Sequence, residues 1–389
     1  MSPAKHSSNG WKAASVDSDP LLRFHWRLIQ GGERAGASRA YQSSLSATGL
    51  PDLLPQIEFC RQAEECGIDS LLVDFGWSKP DSIVLSTALG LATQKIRLIV
   101  AYRSGLLCPT SFVQQLNTLS HLIQGRFSLN IVAGSSPDEQ AYYGDFLSHD
   151  ERYDRTEEFL AICNALWRQD GAVDYSGRYY RVEKSKLNTP FYSPERTFPE
   201  IYIAGNSPSA QRVSISQGTC WMRFPETPHD LAGKIRPVLE SGKEVGLRLS
   251  IIARPTREEA VAAAYELLKG ADAQFDDRAK EKELTERSDS LSIKSLNQSS
   301  EWGTSSLWTG AVRTHGPAAV ALVGAPDEIA SAILEYKSIG ITQFILSGWP
   351  KLESMLFFGR EVLPLVRTKE RALIRKEPPA SVSAMPAAL

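Results

Sequence analysis

The sequence predicts a (β/α)8 barrel, the TIM-barrel arrangement of a closed parallel sheet wrapped in helices, and three observations carry the prediction. Eight apolar, β-branched runs alternate with helix-compatible stretches between residues 21 and 367. Several runs are continuously apolar, as strands are when helices cover both faces of a parallel sheet. Two of them open directly onto small residues, Asn130-Ile131-Val132-Ala133-Gly134-Ser135-Ser136 and Ile203-Ala204-Gly205-Asn206-Ser207. Eight units within 389 residues favour closure of the sheet, with a doubly wound open sheet as the alternative.

In chain order, strand Leu22–Ile29 precedes helix Asp52–Cys66, strand Ser70–Phe75 precedes helix Ser82–Ala92, and strand Ile96–Tyr102 precedes helix Thr110–Ile123. Strand Arg126–Ala133 leads to helix Arg152–Trp167, and strand Glu200–Ala204 to helix Ser209–Gln217. The remaining strands are Thr219–Phe224, Leu247–Ala253 and Ile341–Ser347, with helices His229–Val245, Arg257–Lys269, Pro326–Ile339 and Leu352–Val366. Two insertions break the rhythm. Ala172–Asn188 reads as a hairpin turning at Ser176-Gly177-Arg178, followed by a Pro-rich loop to Pro199. Gly270–Thr304 is long, charge-dense and poor in aromatics, and falls after the seventh strand, on the face where a barrel keeps its active site; it reads as a lid. The tails, residues 1–20 and 368–389, have the polar or Pro/Ala-rich composition of disorder.

Composition excludes several classes. A net charge of −2 argues against nucleic acid or an anionic membrane as partner, and no apolar run reaches the roughly 20 residues of a membrane helix. The five cysteines form no CxxC pair and the first 20 residues hold no apolar signal core, which together read as reducing cytoplasm. Six scattered histidines without HxxxH or HExxH give no metal signature.

The chemistry-bearing segment is Gly205-Asn206-Ser207-Pro208. Ser207 is suited to N-cap the helix that follows and Pro208 to its first position, where a missing N–H costs nothing. A strand, a glycine turn and a capped helix start leave backbone N–H groups at a positive dipole end, where phosphates bind. The plain alternative is a loop capped only for stability.

Further segments carry a family resemblance. Gln124-Gly125-Arg126-Phe127, Asn130 to Ser135, Asp150-Glu151-Arg152-Tyr153-Asp154-Arg155-Thr156-Glu157-Glu158-Phe159, Leu307-Trp308-Thr309-Gly310, Ala321-Leu322-Val323-Gly324 and Phe344-Ile345-Leu346-Ser347-Gly348 join the Ile203–Ser207 segment. Together the chain, from about Phe24 to Val366, resembles the bacterial-luciferase-like flavin monooxygenases and, within them, the alkanesulfonate monooxygenases. The resemblance implies a barrel that binds reduced FMN from a separate NAD(P)H-dependent reductase and forms a flavin C4a-(hydro)peroxide with O2 to oxygenate an organic substrate. It also implies a homodimer or homotetramer, for which Gln56–Cys66 and Phe112–Leu122 offer faces. On it, Gly205, Asn206 and Ser207 hold the phosphate, while Asn130, Gly134 and Ser135 hold the ring at the fourth strand's end. Tyr153 places its hydroxyl on the cofactor or serves as a core tyrosine, and Arg103 offsets the charge of reduced flavin or forms a structural ion pair.

The substrate side departs from the alkanesulfonate pattern. Gln30 stands where those enzymes have a histidine, Lys79 or Pro80 where they have a cysteine, and Arg248-Leu249-Ser250 where they have Arg-x-His. His315, with Arg313 close by, aligns near their lid-proximal arginine, and Trp349-Pro350-Lys351 replaces Tyr-Pro-His. The expected catalytic set is therefore Arg248 as oxyanion stabiliser, Ser250 and Trp349 shaping the pocket, and His315 as proton carrier. Such a set points away from a simple alkanesulfonate and towards another small molecule, such as a secondary-metabolite intermediate. An F420-dependent oxidoreductase and a non-catalytic flavin-binding protein are the other readings.

Overall fold

The computed structural model describes residues 21–30, 50–134, 136–272 and 300–374. Both expected tails beyond those limits, most of the expected lid and Ser135 lie outside the described residues. The strands are β1 (Arg23–Arg27), β2 (Ser70–Val73), β3 (Arg97–Arg103), β4 (Phe127–Val132), β5 (Val173–Ser176), β6 (Arg181–Ser185), β7 (Ile201–Ala204), β8 (Cys220–Arg223), β9 (Glu244–Ala253), β10 (Leu307–Trp308), β11 (Ala321–Gly324) and β12 (Ile341–Ser347). Eight of them, in the order β1-β2-β3-β4-β7-β8-β9-β12, pair in parallel, and β12 returns to β1 to close the barrel. All eight strands read from the sequence are these eight. The insertion at 172 is the expected hairpin, β5 against β6.

Helices fill the crossovers: α1 (Leu53–Glu65), α2 (Ser82–Ala92), α3 (Pro109–Leu122), α4 (Pro137–Tyr142), α5 (His149–Arg168) and α6 (Pro208–Gln217). The second half adds α7 (Pro228–Glu240), α8 (Arg257–Asp272), α9 (Val312–His315), α10 (Pro326–Ser338), α11 (Lys351–Phe357) and α12 (Leu363–Ile374). Side chains alternate along each strand. Phe24 and Trp26 of β1 pack outward with Phe59 of α1 and Phe358, whereas Leu72, Ile99, Ala101, Tyr202, Cys220, Met222 and Ile345 meet one another inside the barrel. A second outer layer joins β3, β4 and β7 to α3, α5 and α6. Burial of those two layers is the main stabilising term.

Three differences from the sequence reading have local causes. The helix expected over His229–Val245 stops at Glu240, because Gly242 turns the chain at φ +76 and β9 begins at Glu244 rather than Leu247. The last helix is interrupted by a wider, i→i+5 turn over Phe358–Val362, where Gly359 lies against Cys66. Ala321–Gly324 forms β11, which pairs with Ser250–Ala253 of β9 beyond the reach of β8 and on the edge opposite β12, and β10 adds an antiparallel edge. That pairing extends one wall of the barrel past its rim, and a satellite apolar cluster of Ile252, Trp308, Val323 and Trp349 packs there with α8.

Candidate functional site

The carboxyl ends of the barrel strands converge on a polar mouth. On the β1–β2 side, buried Gln30 splices the two strand ends: its Nε2 donates to the Asp74 carbonyl (3.2 Å) and its Oε1 accepts from the Asp74 N–H (2.7 Å). Asp74 pairs with Arg27. Burial pushes the Asp74 carboxyl up, but Arg27, Lys79 and Arg248 outweigh it and hold the group below the usual carboxylate range. Gln30 thus serves as a strut where the resembling enzymes have a histidine.

On the β3–β4 side, Arg103 is 3% exposed and its Nη2 donates to Glu139 Oε1 of α4 (3.0 Å). Its guanidinium carbon sits 5.0 Å from the Phe75 ring and 5.4 Å from the Tyr143 ring, a cation between two aromatic faces. Among the described residues, the buried Nε and Nη1 of Arg103 and Oδ1 of Asn130 have no hydrogen-bond partner. Such groups are costly to leave unmade, so a ligand or an internal water completes them. Glu139 also accepts the Trp77 N–H (3.3 Å), so α4 is pinned across the ends of β2 and β3.

At the start of α6 the sequence cap is in place: Ser207 Oγ accepts from Ala210 N–H (3.2 Å), and Pro208 opens the helix. Gly205 adopts φ +133, and a Cβ there would overlap the Tyr153 hydroxyl. That hydroxyl donates to the Ala204 carbonyl (2.8 Å), and burial pushes it up to about 12, so it stays protonated. Gly205 N–H is taken by the Met222 carbonyl (3.1 Å) and the Asn206 side chain by both backbone groups of Phe224. Asn206 therefore fastens β7 to β8 with its amide, and only its main chain is left for a phosphate. An anion already stands at this helix start: Asp150 accepts from the Ser209 hydroxyl (2.7 Å) and sits 2.9 Å from His149 Nδ1. Those two hydrogen bonds, Ser209 first, hold its carboxyl below the ordinary range.

Across the mouth, Arg248 Nη1 donates to the Leu249 carbonyl (3.1 Å) and to Ser347 Oγ (3.2 Å). Ser347 lies 2.9 Å from Ser250 Oγ, and Ser250 donates to the Ala318 carbonyl (2.7 Å). Since Ser250 has one hydrogen and spends it on Ala318, the Ser347 hydroxyl must donate to Ser250. Trp349 is 8% exposed within the satellite cluster, with the His315 ring at 5.7 Å, edge to face.

The structure thus joins Arg248 to Ser250 through Ser347, pairs His315 with Trp349, gathers Tyr153, Gly205 and Ser207, and sets Arg103 and Asn130 on adjacent strands. Sequence reasoning missed Ser347, Glu139 and Gln140. The period of 2 running through Gln343, Ile345 and Ser347 would have found the first. The other two sit on α4, a six-residue helix too short for a periodic signal.

A family model described as luciferase-like monooxygenase matches residues 32–343. Solved structures similar to this chain include riboflavin lyase (RcaE) with modified FMN and riboflavin, at 22% identity, covering 90% of this chain and 92% of the other with a TM-score of 0.69. Long-chain alkane monooxygenase (LadA) aligns at 17% identity, 90% and 92% coverage and a TM-score of 0.69. EDTA monooxygenase from Chelativorans sp. BNC1 aligns at 20% identity, 90% and 94% coverage and a TM-score of 0.68. At these identities the structural likeness establishes the shared barrel.

Proposed function

The chain belongs to the luciferase-like monooxygenase family of flavin-dependent enzymes, and on that premise we propose that it is the oxygenase of a two-component system. It takes FMN reduced by a separate NAD(P)H-dependent reductase and uses O2 to oxygenate a small organic molecule. The observation that carries this reading is the set of buried, unpartnered atoms at the mouth, Arg103 Nε and Nη1 with Asn130 Oδ1. They fit a polar ring or an anion, and the capped start of α6 fits a phosphate.

Reduced flavin supplies the electrons that activate O2. The residues of this chain bind, orient and shield. Arg103 offers two free donors to the anionic ring while Phe75 and Tyr143 fix its plane. Tyr153 stays protonated and, by packing on Gly205, sets the turn from which Ser207 and α6 present their amides. Arg248, aimed by Ser347 and Ser250, stabilises negative charge developing on oxygen or substrate. Ser250 is a positioning residue, since its hydrogen is spent on Ala318. His315 against Trp349 is the proton carrier beside an apolar wall.

The substrate is a molecule other than a plain alkanesulfonate. A sulfonate calls for several cations in fork geometry, whereas Ser250 and Trp349 give the pocket a different shape and Lys351 is buried at 2% exposure. A secondary-metabolite intermediate as substrate suits the aromatic side chains of Phe75, Trp77 and Trp349. A second copy of the chain is the proposed partner on the open groove of about 740 Å3 between α2 and α3, lined by Ile83, Val84, Leu106, Leu107 and Leu122. The cytoplasm is the proposed location, and no described helix is long and apolar enough to cross a membrane.

Anaerobic equilibrium titration with FMNH2, FMN and reduced F420 tests the reading. FMNH2 binds best, and Arg103→Met weakens it about tenfold, the loss of one charge-assisted hydrogen bond. Preferential binding of F420, with no affinity for FMNH2, overturns it in favour of hydride transfer.

A further inference from the structure

Gln140 is the one mouth side chain whose two polar atoms, Oε1 and Nε2, are both buried and both without a hydrogen-bond partner among the described residues. The residue is 1% exposed, and its main chain is locked: its N–H donates to the Ser136 carbonyl (3.0 Å), and its carbonyl accepts from Tyr143 and Asp145 (3.0 Å each). The side chain turns back onto the end of β4, where Gly134 adopts φ +86 and a Cβ would overlap the Gln140 amide nitrogen. Only glycine lets the amide approach the strand end so closely. An apolar side chain of this size would suit the isolated protein better, because each buried unpaired polar atom costs stability. The neighbouring residue on α4, Glu139, holds Arg103, whose own Nε and Nη1 are also unpartnered, and Asn130 lies four residues before Gly134 on β4.

A primary amide presents one donor and one acceptor side by side in a plane. Its complement is an imide or lactam edge, a ring N–H beside a ring carbonyl. The pyrimidine edge of a flavin is such an edge, with N3–H between two carbonyls. Resting on the FMN reading above, we propose that Gln140 recognises that edge, Oε1 accepting from N3–H and Nε2 donating to an adjacent ring carbonyl. The amide is a binding and orienting group; it takes no proton in the reaction.

The test compares FMN with 3-methyl-FMN, in which N3 carries no hydrogen, on wild type, Gln140→Leu and Gln140→Met, by fluorescence titration and by thermal melting of the ligand-free protein. Wild type should bind FMN at least about tenfold more tightly than 3-methyl-FMN. Both variants should bind the two flavins alike, at the weaker level, while melting at or above the wild-type temperature without ligand. The Met variant keeps the test valid should Leu pack badly. Variants that bind FMN within twofold of wild type, or a wild type indifferent to the N3 methyl, overturn the proposal and leave the amide to an internal water. A wild type with no affinity for FMN, FMNH2 or reduced 3-methyl-FMN overturns the functional reading as well, whereas flavin binding indifferent to the N3 methyl overturns only the Gln140 assignment, which separates the two failures.

Discussion

The two ends of the barrel interior differ in how fully their buried charges are paired. At the amino ends of the strands, Arg23 bridges Glu200 (2.7 Å) and Glu244 (2.6 Å), Arg196 adds a second cation to Glu200 (2.9 Å), and the Tyr202 hydroxyl donates to the same carboxylate (3.2 Å). Gln343 donates to Glu244 (2.8 Å) and accepts from His25 (3.1 Å). At the carboxyl ends, Arg103, Asn130 and Gln140 keep atoms with no hydrogen-bond partner among the described residues. The ion-paired network fixes the fold, with His25 Nδ1 and Ser128 Oγ left unpartnered beside it among the described residues, whereas at the mouth the guanidinium and amides themselves keep hydrogen bonds for something that arrives. In a parallel barrel this division follows strand direction, with conservative packing below and binding chemistry above.

The contrast can be broken most directly at Glu200. Glu200→Ala leaves Arg23, Arg196 and Tyr202 facing a void, and unfolding in urea should show a loss of about 4 kcal/mol. Arg103→Met, at the opposite end, should change stability by less than about 1 kcal/mol, since it also removes two unsatisfied donors. Equal losses from the two would erase the distinction.

A smaller effect should appear with pH. His25 is held neutral: burial, then Arg23 and, more weakly, Arg97, lower its pKa from 6.5 to about 4, against the opposing pull of Gln343 and Glu200. The unfolded chain takes up a proton below pH 6.5 and the folded one does not, so stability is full above that value and falls as pH drops towards 4. The loss across that window is roughly 3 kcal/mol. Urea midpoints at intervals between those limits should show a slope that His25→Gln flattens; an unchanged slope would assign the acid sensitivity to carboxylates.

The smallest expected effect sharpens the picture at the mouth. Asp150→Asn removes the carboxylate competing at the start of α6, and FMN should bind about two- to threefold more tightly while riboflavin is unaffected. Equal changes for both ligands would place the phosphate elsewhere.

The barrel was legible because its eight strands are apolar and end at helix starts with recognisable caps, as at Ser207-Pro208. The α6 turn was legible too, since Gly205 and Ser207 have roles that local chemistry sets. What escaped depends on contacts distant in sequence. Asn206 looked like a ligand-binding amide until Phe224, 18 residues on, claimed both of its polar atoms. Trp349 packs in a cluster that exists only because β11 extends the wall beside β9. No local pattern marks Gln140, because what singles it out is the lack, among the described residues, of a partner for its amide after folding.

One further consequence belongs to the hydroxyls between Arg248 and Ala318. Their hydrogens all point one way, from the guanidinium through Ser347 and Ser250 to a carbonyl 68 residues from Ser250. That carbonyl lies in the short turn Pro317–Ala319, two residues beyond the end of which the chain re-enters the sheet as β11. Were that peptide to flip, Ser250 would lose its acceptor and turn its hydrogen towards Ser347, whose own hydrogen would then have to find another acceptor. The hydroxyl that meets a positive charge inside the barrel is thus oriented from a single amide plane outside it, while the Leu249 and Ile345 carbonyls hold the same nitrogen directly.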